Sequence, residues 1–591
     1  MKKILISALI ALLVLTGCTT KPKNVDGTDT PNAEFTTYLD ELLPEFIDPE
    51  DFSINLMFEN PATYGIESKD YKMDFVSEED YKEAAKTSKE VLDEVKGFDD
   101  ATLSPQQQLD KKVIVQHLED IVALQDYYDF SVGSSVLGYS RNLMGSFPAY
   151  LEIYEFRTEQ DLKGYFTLLE SLPETISKYI QLERDRQTRS TGFTQYELTE
   201  MARVSDVTAQ QIAQPDYYLI AYMNEKIDGA TFLDASQKET AKARSQALIS
   251  KQLYESYQMM ATELGAIQVT DTTLAGMSTR PNGKAFYEEL LQQETGKRST
   301  VKEILRFTEK SQQAAVETLY LSNEYTTEER DRYMELMMAE SFGNYENGEA
   351  LLEDIHASFG EDFPMIPMPF YELRKVHPSI SESSAPAFYF SPPVDYTGEE
   401  AQVIYINGEF DNSLYTTYAH EGIPGHMYQF SYFKTLKDMH PIRSLISPSN
   451  SAEGWANYAE KLAVKYVHDE KFEEFYNAYM TLIETIHIRA DIGVHYEGWT
   501  MEQFGTYMSD FFTLDEAGLE SFYYQIIQTP AVYPTYYLSN LYIRDLKKTT
   551  KDALGSQYSE VEFHKVLLDS GAASMDIMEQ QMQAYIKTKK K

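Results

Sequence analysis

Apolar residues recur at spacings of three and four, with charged residues between them, over Glu79–Val95, Pro105–Tyr127, Glu159–Arg184 and Ala235–Leu264. That period belongs to helices with one buried face. Pro173 is expected to interrupt the third, because proline lacks the donor a helix interior needs. Alternation of period two is scarce. It is clearest at Ala387-Phe388-Tyr389-Phe390-Ser391 and, beyond a Pro-Pro turn, at Gln402-Val403-Ile404-Tyr405-Ile406. The pattern predicts a mainly helical protein with one small sheet near residue 400. A Pro-rich stretch, Phe363 to Pro369, precedes that sheet. We place a boundary near it, giving a helical N-terminal region over 36–385 and a region over 386–591 that holds the chemistry.

The extreme N-terminus has a different pattern. Lys2 and Lys3 precede an apolar run, Ile4 to Leu15, too short to span a bilayer comfortably. Leu15-Thr16-Gly17-Cys18 then resembles the lipobox of bacterial lipoproteins, in which the cysteine is acylated (with palmitate, for example) and becomes the mature N-terminus. This predicts a signal peptide over 1–17 and an exported protein, lipid-anchored through Cys18 to the extracytoplasmic face of a bacterial membrane. The alternative is an ordinary signal peptide with an incidental cysteine. Residues 18–35 are rich in Thr, Pro, Asn, Asp and Lys and read as a flexible tether.

Charge and composition narrow the chemistry. The 591 residues carry 52 Lys and Arg against 94 Asp and Glu, a net charge of −42. A nucleic-acid partner is therefore not expected, since phosphates are neutralised by basic residues. The single cysteine excludes an intramolecular disulfide, and its acylation would exclude a thiol nucleophile. There is no G-x-S-x-G elbow, and Gly276…Gly283-Lys284 has the wrong spacing for a phosphate loop.

What remains is His420-Glu421-Gly422-Ile423-Pro424-Gly425-His426, after a segment that reads as a helix capped by Asp411, Asn412 or Ser413. Two imidazoles that hold a metal, with an adjacent glutamate that activates water, are the chemistry of zinc hydrolases. Two histidines six apart stand about 240° apart on a regular helix and could not share an ion. Pro424 breaks such a helix by clashing with the carbonyl of residue 420, and Gly422 and Gly425 permit unusual dihedrals. The segment is then either a broken helix that converges on a metal or a helix end followed by two surface histidines. Downstream, Ser449-Asn450-Ser451-Ala452-Glu453-Gly454-Trp455 opens another helix, with Glu453 and Glu460 on one face. Glu453 is either the third ligand, leaving one open position for water, or the carboxylate of an Asn450-x-x-Glu453 capping box.

HEGIPGH, then EGWANYAE, then Arg489-x-Asp491-x-x-x-His495-x-x-x-Trp499, then Pro530-Ala531-x-Tyr533-x-x-Tyr536-Tyr537 and Arg544 together resemble the bacterial domain-of-unknown-function family 885. The resemblance runs from about residue 35 to the end and departs from the family pattern at Ala531 and Ser539, where that pattern often has Gly. The family is similar, more distantly, to helical zinc metallopeptidases of the thimet oligopeptidase and thermostable carboxypeptidase type. The resemblance implies a large bilobed helical fold with a small sheet beside the cleft. It implies one Zn2+ ion held by His420, His426 and Glu453, and Glu421 as general base. His495 and Tyr536 are implied as oxyanion donors, with Tyr533 and Tyr537 in reserve, although tyrosine is abundant here and ordinarily packs a core. Asp491 would orient an imidazole. Arg489 and Arg544 would hold a substrate carboxylate or pair with Asp491 or Asp545. The activity implied is hydrolysis of peptide or isopeptide bonds outside the cytoplasm. The rival is a non-catalytic peptide- or solute-binding lipoprotein with a degenerate metal site. The oligomeric state is not legible in the sequence.

Overall fold

The computed structural model describes residues 30–590, apart from 139–141, 323, 339–341, 379–380, 382–384, 399–400, 447 and 468. The signal segment and Cys18 therefore lie outside the described residues. Helices dominate, and three short strands form the one sheet among the described residues. No helix there is long and apolar enough to cross a membrane.

The expected helices form, and their ends follow local chemistry. Glu78–Gly97 and Pro105–Ala123 each start with a capping box, Ser77 with Asp80 and Ser104 with Gln107. In both, a hydroxyl and a carboxyl or amide satisfy two orphan N–H groups reciprocally. Pro173 does not interrupt its helix, which runs unbroken from Glu159 to Thr188. The lost hydrogen bond and ring clash cost about 3 kcal/mol. The buried stripe on both sides of the proline, including Leu168, Leu169, Leu172, Ile176, Tyr179 and Ile180, removes several times that from water. The Ala235–Leu264 prediction resolves into Ala235–Leu248, a π-helical turn over Ile249–Leu253, and Tyr254–Gly265.

The sheet has strand order β1-β3-β2, with β1 Tyr371–Lys375, β2 Ala387–Phe390 and β3 Gln402–Ile406. β2 pairs antiparallel to β3, with Phe390 opposite Val403, whereas β1 runs parallel to β3, with Tyr371 opposite Gln402. β1 was not expected. It lies on the N-terminal side of the 385/386 boundary and pairs beyond it, so the sheet straddles that division. Alternation sorts the side chains of the sheet. Tyr389, Ile404 and Ile406 join the main core, which runs from Phe35 to Met582. Tyr405, Phe388 and Phe390 pack on the other face, with Tyr218 and Ile153. The sheet is fastened to the chemistry-bearing segment by Tyr389, whose ring lies parallel to His426 at 6.5 Å between centroids, and by Gln402, whose amide donates to Ser431 Oγ at 3.0 Å.

Candidate metal centre

Asp411 caps a short turn over Asn412–Leu414, accepting from the Ser413 N–H at 3.0 Å, and the Tyr415–Glu421 helix follows. That helix stops at Gly422 (φ −100°, ψ −105°), and a second, His426–Phe433, starts after Gly425 (φ −79°, ψ −132°). The Ile423–Pro424 peptide is cis. The Gly425 N–H donates to Ala419 O at 2.9 Å, folding the break tightly on itself. A Cβ on Gly425 would stand 1.8 Å from His420 O, so only glycine fits. The indole of Trp455 donates to Pro424 O at 3.0 Å and ties the break to the segment that carries Glu453.

The result brings together what a straight helix would keep apart. The rings of His420 and His426 lie 4.8 Å apart at 85°. Glu453 Oε2 lies 3.6 Å from His420 Nε2 and 3.4 Å from His426 Nε2, and one donor atom from each residue falls within 4.8 Å of the others. A charge-assisted N–H···O bond spans about 2.7–2.9 Å. Donors around a tetrahedral ion with bonds of roughly 2.0–2.2 Å stand roughly 3.3–3.6 Å apart. The two separations from Glu453 match that spacing rather than a direct hydrogen bond. Both histidines are buried or nearly so, which excludes the surface reading.

Glu453 does not form the capping box. It sits in a π-helical turn, Asn450–Gly454, ahead of the Trp455–Ala463 helix, and the preceding Ser449 makes no side-chain cap. The Asn450 amide, oriented to satisfy its neighbours, accepts instead from Ser451 N and Met575 N at 3.3 and 3.2 Å. π-Turns occur often at functional sites because the extra residue re-aims a side chain. A second π-turn, Pro534–Leu538, packs against the first and lays the Tyr536 ring along His420, 6.2 Å between centroids and 19° from parallel.

Beside the triad, Glu421 is buried, and its pKa is raised. Burial is the main cause, the Glu453 and Glu460 carboxylates add to it, and the two imidazoles oppose it. Burial works against charge on His420, but hydrogen bonds to Glu453 and Glu460 and the attraction of the Glu460 and Glu421 carboxylates outweigh it and hold its pKa well above the ordinary value. This pocket therefore welcomes positive charge. Nδ1 of His426 is buried and has no hydrogen-bond partner among the described residues, whereas Nδ1 of His420 lies 2.8 Å from Glu460 Oε2. The donor set and its spacing fit a zinc-type ion.

The other expected site residues have partners outside the triad. His495 is fully buried, with Nε2 bonded to Ile526 O at 2.8 Å and Nδ1 accepting from Met277 N–H at 3.2 Å. Burial pushes its pKa down to about 3, and with both nitrogens committed to backbone it has no proton to offer an oxyanion. Asp491 orients no imidazole. Its Oδ1 accepts from Tyr287 OH and from Ala531 N–H. Ala531 holds φ +64°, a left-handed conformation that glycine takes freely. Arg489 stacks on Trp499 and pairs with Glu497 at 2.8 Å, not with Asp491. Arg544 donates to Thr481 Oγ1 at 2.7 Å, not to Asp545. Tyr533 and Tyr537 pack against His487 at 4.9 and 5.7 Å, so of the three tyrosines it is Tyr536 that lies against His420. Sequence reasoning gave Glu460 no role. The signal was present in its seven-residue spacing from Glu453.

Residues 60–582 match the model of a family described as bacterial protein of unknown function, DUF885. No curated protein matches the chain. Two solved structures are similar in fold. One is described as a "putative lipoprotein" from Colwellia psychrerythraea, at 17% identity and TM-score 0.74, covering 94% of this chain and 99% of that one. The other is a "putative lipoprotein of unknown function" from Shewanella oneidensis, at 15% identity and TM-score 0.60, covering 93% and 99%.

Proposed function

This chain belongs to the bacterial protein family of unknown function DUF885, and from that premise we propose that it is a zinc-dependent hydrolase of peptide or isopeptide bonds. It works outside the cytoplasm, anchored through lipid on Cys18. The observation that carries the reading is the convergence of His420, His426 and Glu453 on one point beside a buried Glu421. The lipoprotein description of both fold relatives supports export.

A zinc ion held by the triad would supply Lewis acidity, polarising the scissile carbonyl and making water a better nucleophile at neutral pH. The protein supplies the rest. The Glu421 carboxylate takes a proton from the attacking water as the new C–O bond forms. It then returns that proton to the departing nitrogen as the C–N bond breaks, so that one water is consumed and a carboxylic acid and an amine are released. The Tyr536 ring lies along His420, and its hydroxyl would be the oxyanion donor. Burial of the imidazoles and of Glu421 keeps competing water away and strengthens each interaction.

The test is metal analysis of purified protein together with peptide-library digestion, with and without chelator. Glu421→Gln should retain zinc and lose turnover by a factor on the order of 10²–10⁴. Glu453→Gln should lose both. Full turnover in Glu421→Gln would overturn the mechanism, and bound peptide without cleavage would leave a binding lipoprotein as the better description.

A further inference from the structure

Behind His420 lies a chain of buried polar groups that the proposed reaction does not use. Glu460 Oε2 meets His420 Nδ1 at 2.8 Å. Its other oxygen accepts from Lys461 Nζ at 3.0 Å and from Asn457 Nδ2 at 3.0 Å. Lys461 continues to Glu484 Oε1 at 2.9 Å, and Glu484 accepts from Asn540 Nδ2 at 2.9 and 3.1 Å. Lys461, Glu484 and Asn540 are almost wholly removed from solvent. Burying two carboxylates and an ammonium is costly unless each is paired and hydrogen-bonded, and here each has at least two partners. Asn540 stands just past the π-turn that carries Tyr536. The chain thus starts at an expected metal ligand and ends beside the expected oxyanion donor.

We infer that Glu460 is a positioning residue for His420, and that Lys461, Glu484 and Asn540 hold it in place. An ionised carboxylate only accepts hydrogen bonds, so a neutral His420 ring carries its proton on Nδ1, toward Glu460, and turns its Nε2 lone pair toward Glu453 and His426. The Glu460 carboxylate against Nδ1 makes the imidazole a stronger donor to a cation. The two histidines are therefore unequal. His420 is set in tautomer and rotation by this chain, whereas Nδ1 of His426 meets no such group among the described residues. Removing Glu460 should loosen metal binding through His420 alone.

This rests on the metal reading above, and the experiment separates the two. Zinc affinity is measured by competition with a chromogenic chelator on the full folded chain, for wild type, Glu460→Gln, Glu460→Asp, His420→Ala and the double variant His420→Ala/Glu460→Gln. Circular dichroism and thermal melting check that each is folded. The expected result is 10–100-fold weaker zinc binding in Glu460→Gln and partial recovery in Glu460→Asp. No further loss is expected when Glu460→Gln is added to His420→Ala, because the effect passes through that imidazole. Equal affinity in wild type and folded Glu460→Gln overturns the inference while leaving the metal reading intact. Loss of equal size in both backgrounds also overturns it, because Glu460 would then act through general stability. If wild type binds no zinc, or binds it no more tightly than His420→Ala, the metal reading fails and this inference falls with it.

Discussion

Glycine at 425 is the least replaceable residue of the break. A methyl there would meet the His420 carbonyl at 1.8 Å, and backbone on both sides cannot give way without moving both imidazoles. Gly425→Ala is expected to cost about 3 kcal/mol of stability and to abolish zinc binding, read by denaturant melts and metal titration. Asp491 gives a pH signature. Burial pushes its carboxyl from 3.8 up to about 7, against the lowering effect of Tyr287 and Ala531. The folded protein therefore holds a proton that the unfolded chain releases near pH 4. Its contribution to stability is complete below that pH and is lost as pH rises to about 7, up to roughly 4 kcal/mol. Asp491→Asn mimics the protonated acid, so its stability relative to wild type should rise between pH 4.5 and 7.5 in urea titrations. A flat difference would refute the assignment. The convergence of His420, His426 and Glu453 was legible at this scale, because Pro424 forbids the geometry that would keep the two histidines apart. His495, Asp491, Arg489 and Arg544 have partners that the sequence did not reveal. Their residue types suit catalysis, but type and spacing do not tell whether a side chain spends its hydrogen bonds on backbone, as His495 does, or on a neighbouring carboxylate, as Arg489 does with Glu497.

Among the elements, the π-turns were invisible in the sequence. One extra residue in a helix leaves the apolar period almost unchanged, yet it turns Glu453 from the cap position toward the histidines. The packing of the two π-turns depends on Gly454, where a Cβ would stand 2.5 Å from the Cβ of Ser539. Gly454→Ala should cost about 1–3 kcal/mol by overpacking and displace Tyr536 together with Glu453. Thermal melting and zinc affinity should fall together, and Ser539→Gly in the same chain should restore part of both. The long helices were readable because capping residues and apolar stripes agree along their length. The strand β1, Tyr-Glu-Leu-Arg-Lys, was missed because it is short, mostly polar and paired in parallel with a segment some thirty residues further on. Pro173 misled for the opposite reason, in that a local penalty was outweighed by burial on either side.

For the whole molecule, the strongly acidic body has no reason of its own to rest on an anionic membrane. On the lipid-anchor reading proposed above, membrane association would depend on the acyl chains, each buried CH₂ contributing about 0.8 kcal/mol. Cys18→Ala should move the protein to the soluble fraction on cell fractionation while leaving in vitro zinc content unchanged. Unaltered membrane association would count against the lipobox.

The hydrogen bond from Trp455 to the Pro424 carbonyl has a thermodynamic meaning for the whole molecule as well. It joins the segment bearing both histidines to the segment bearing the glutamate, so the three donors share a frame before any cation arrives. The entropy of gathering them is spent when the chain folds, under the driving force of a core that spans hundreds of residues, and not when the ion binds. On the metal reading proposed above, a cation would be taken up and surrendered without refolding, a guest in a finished building.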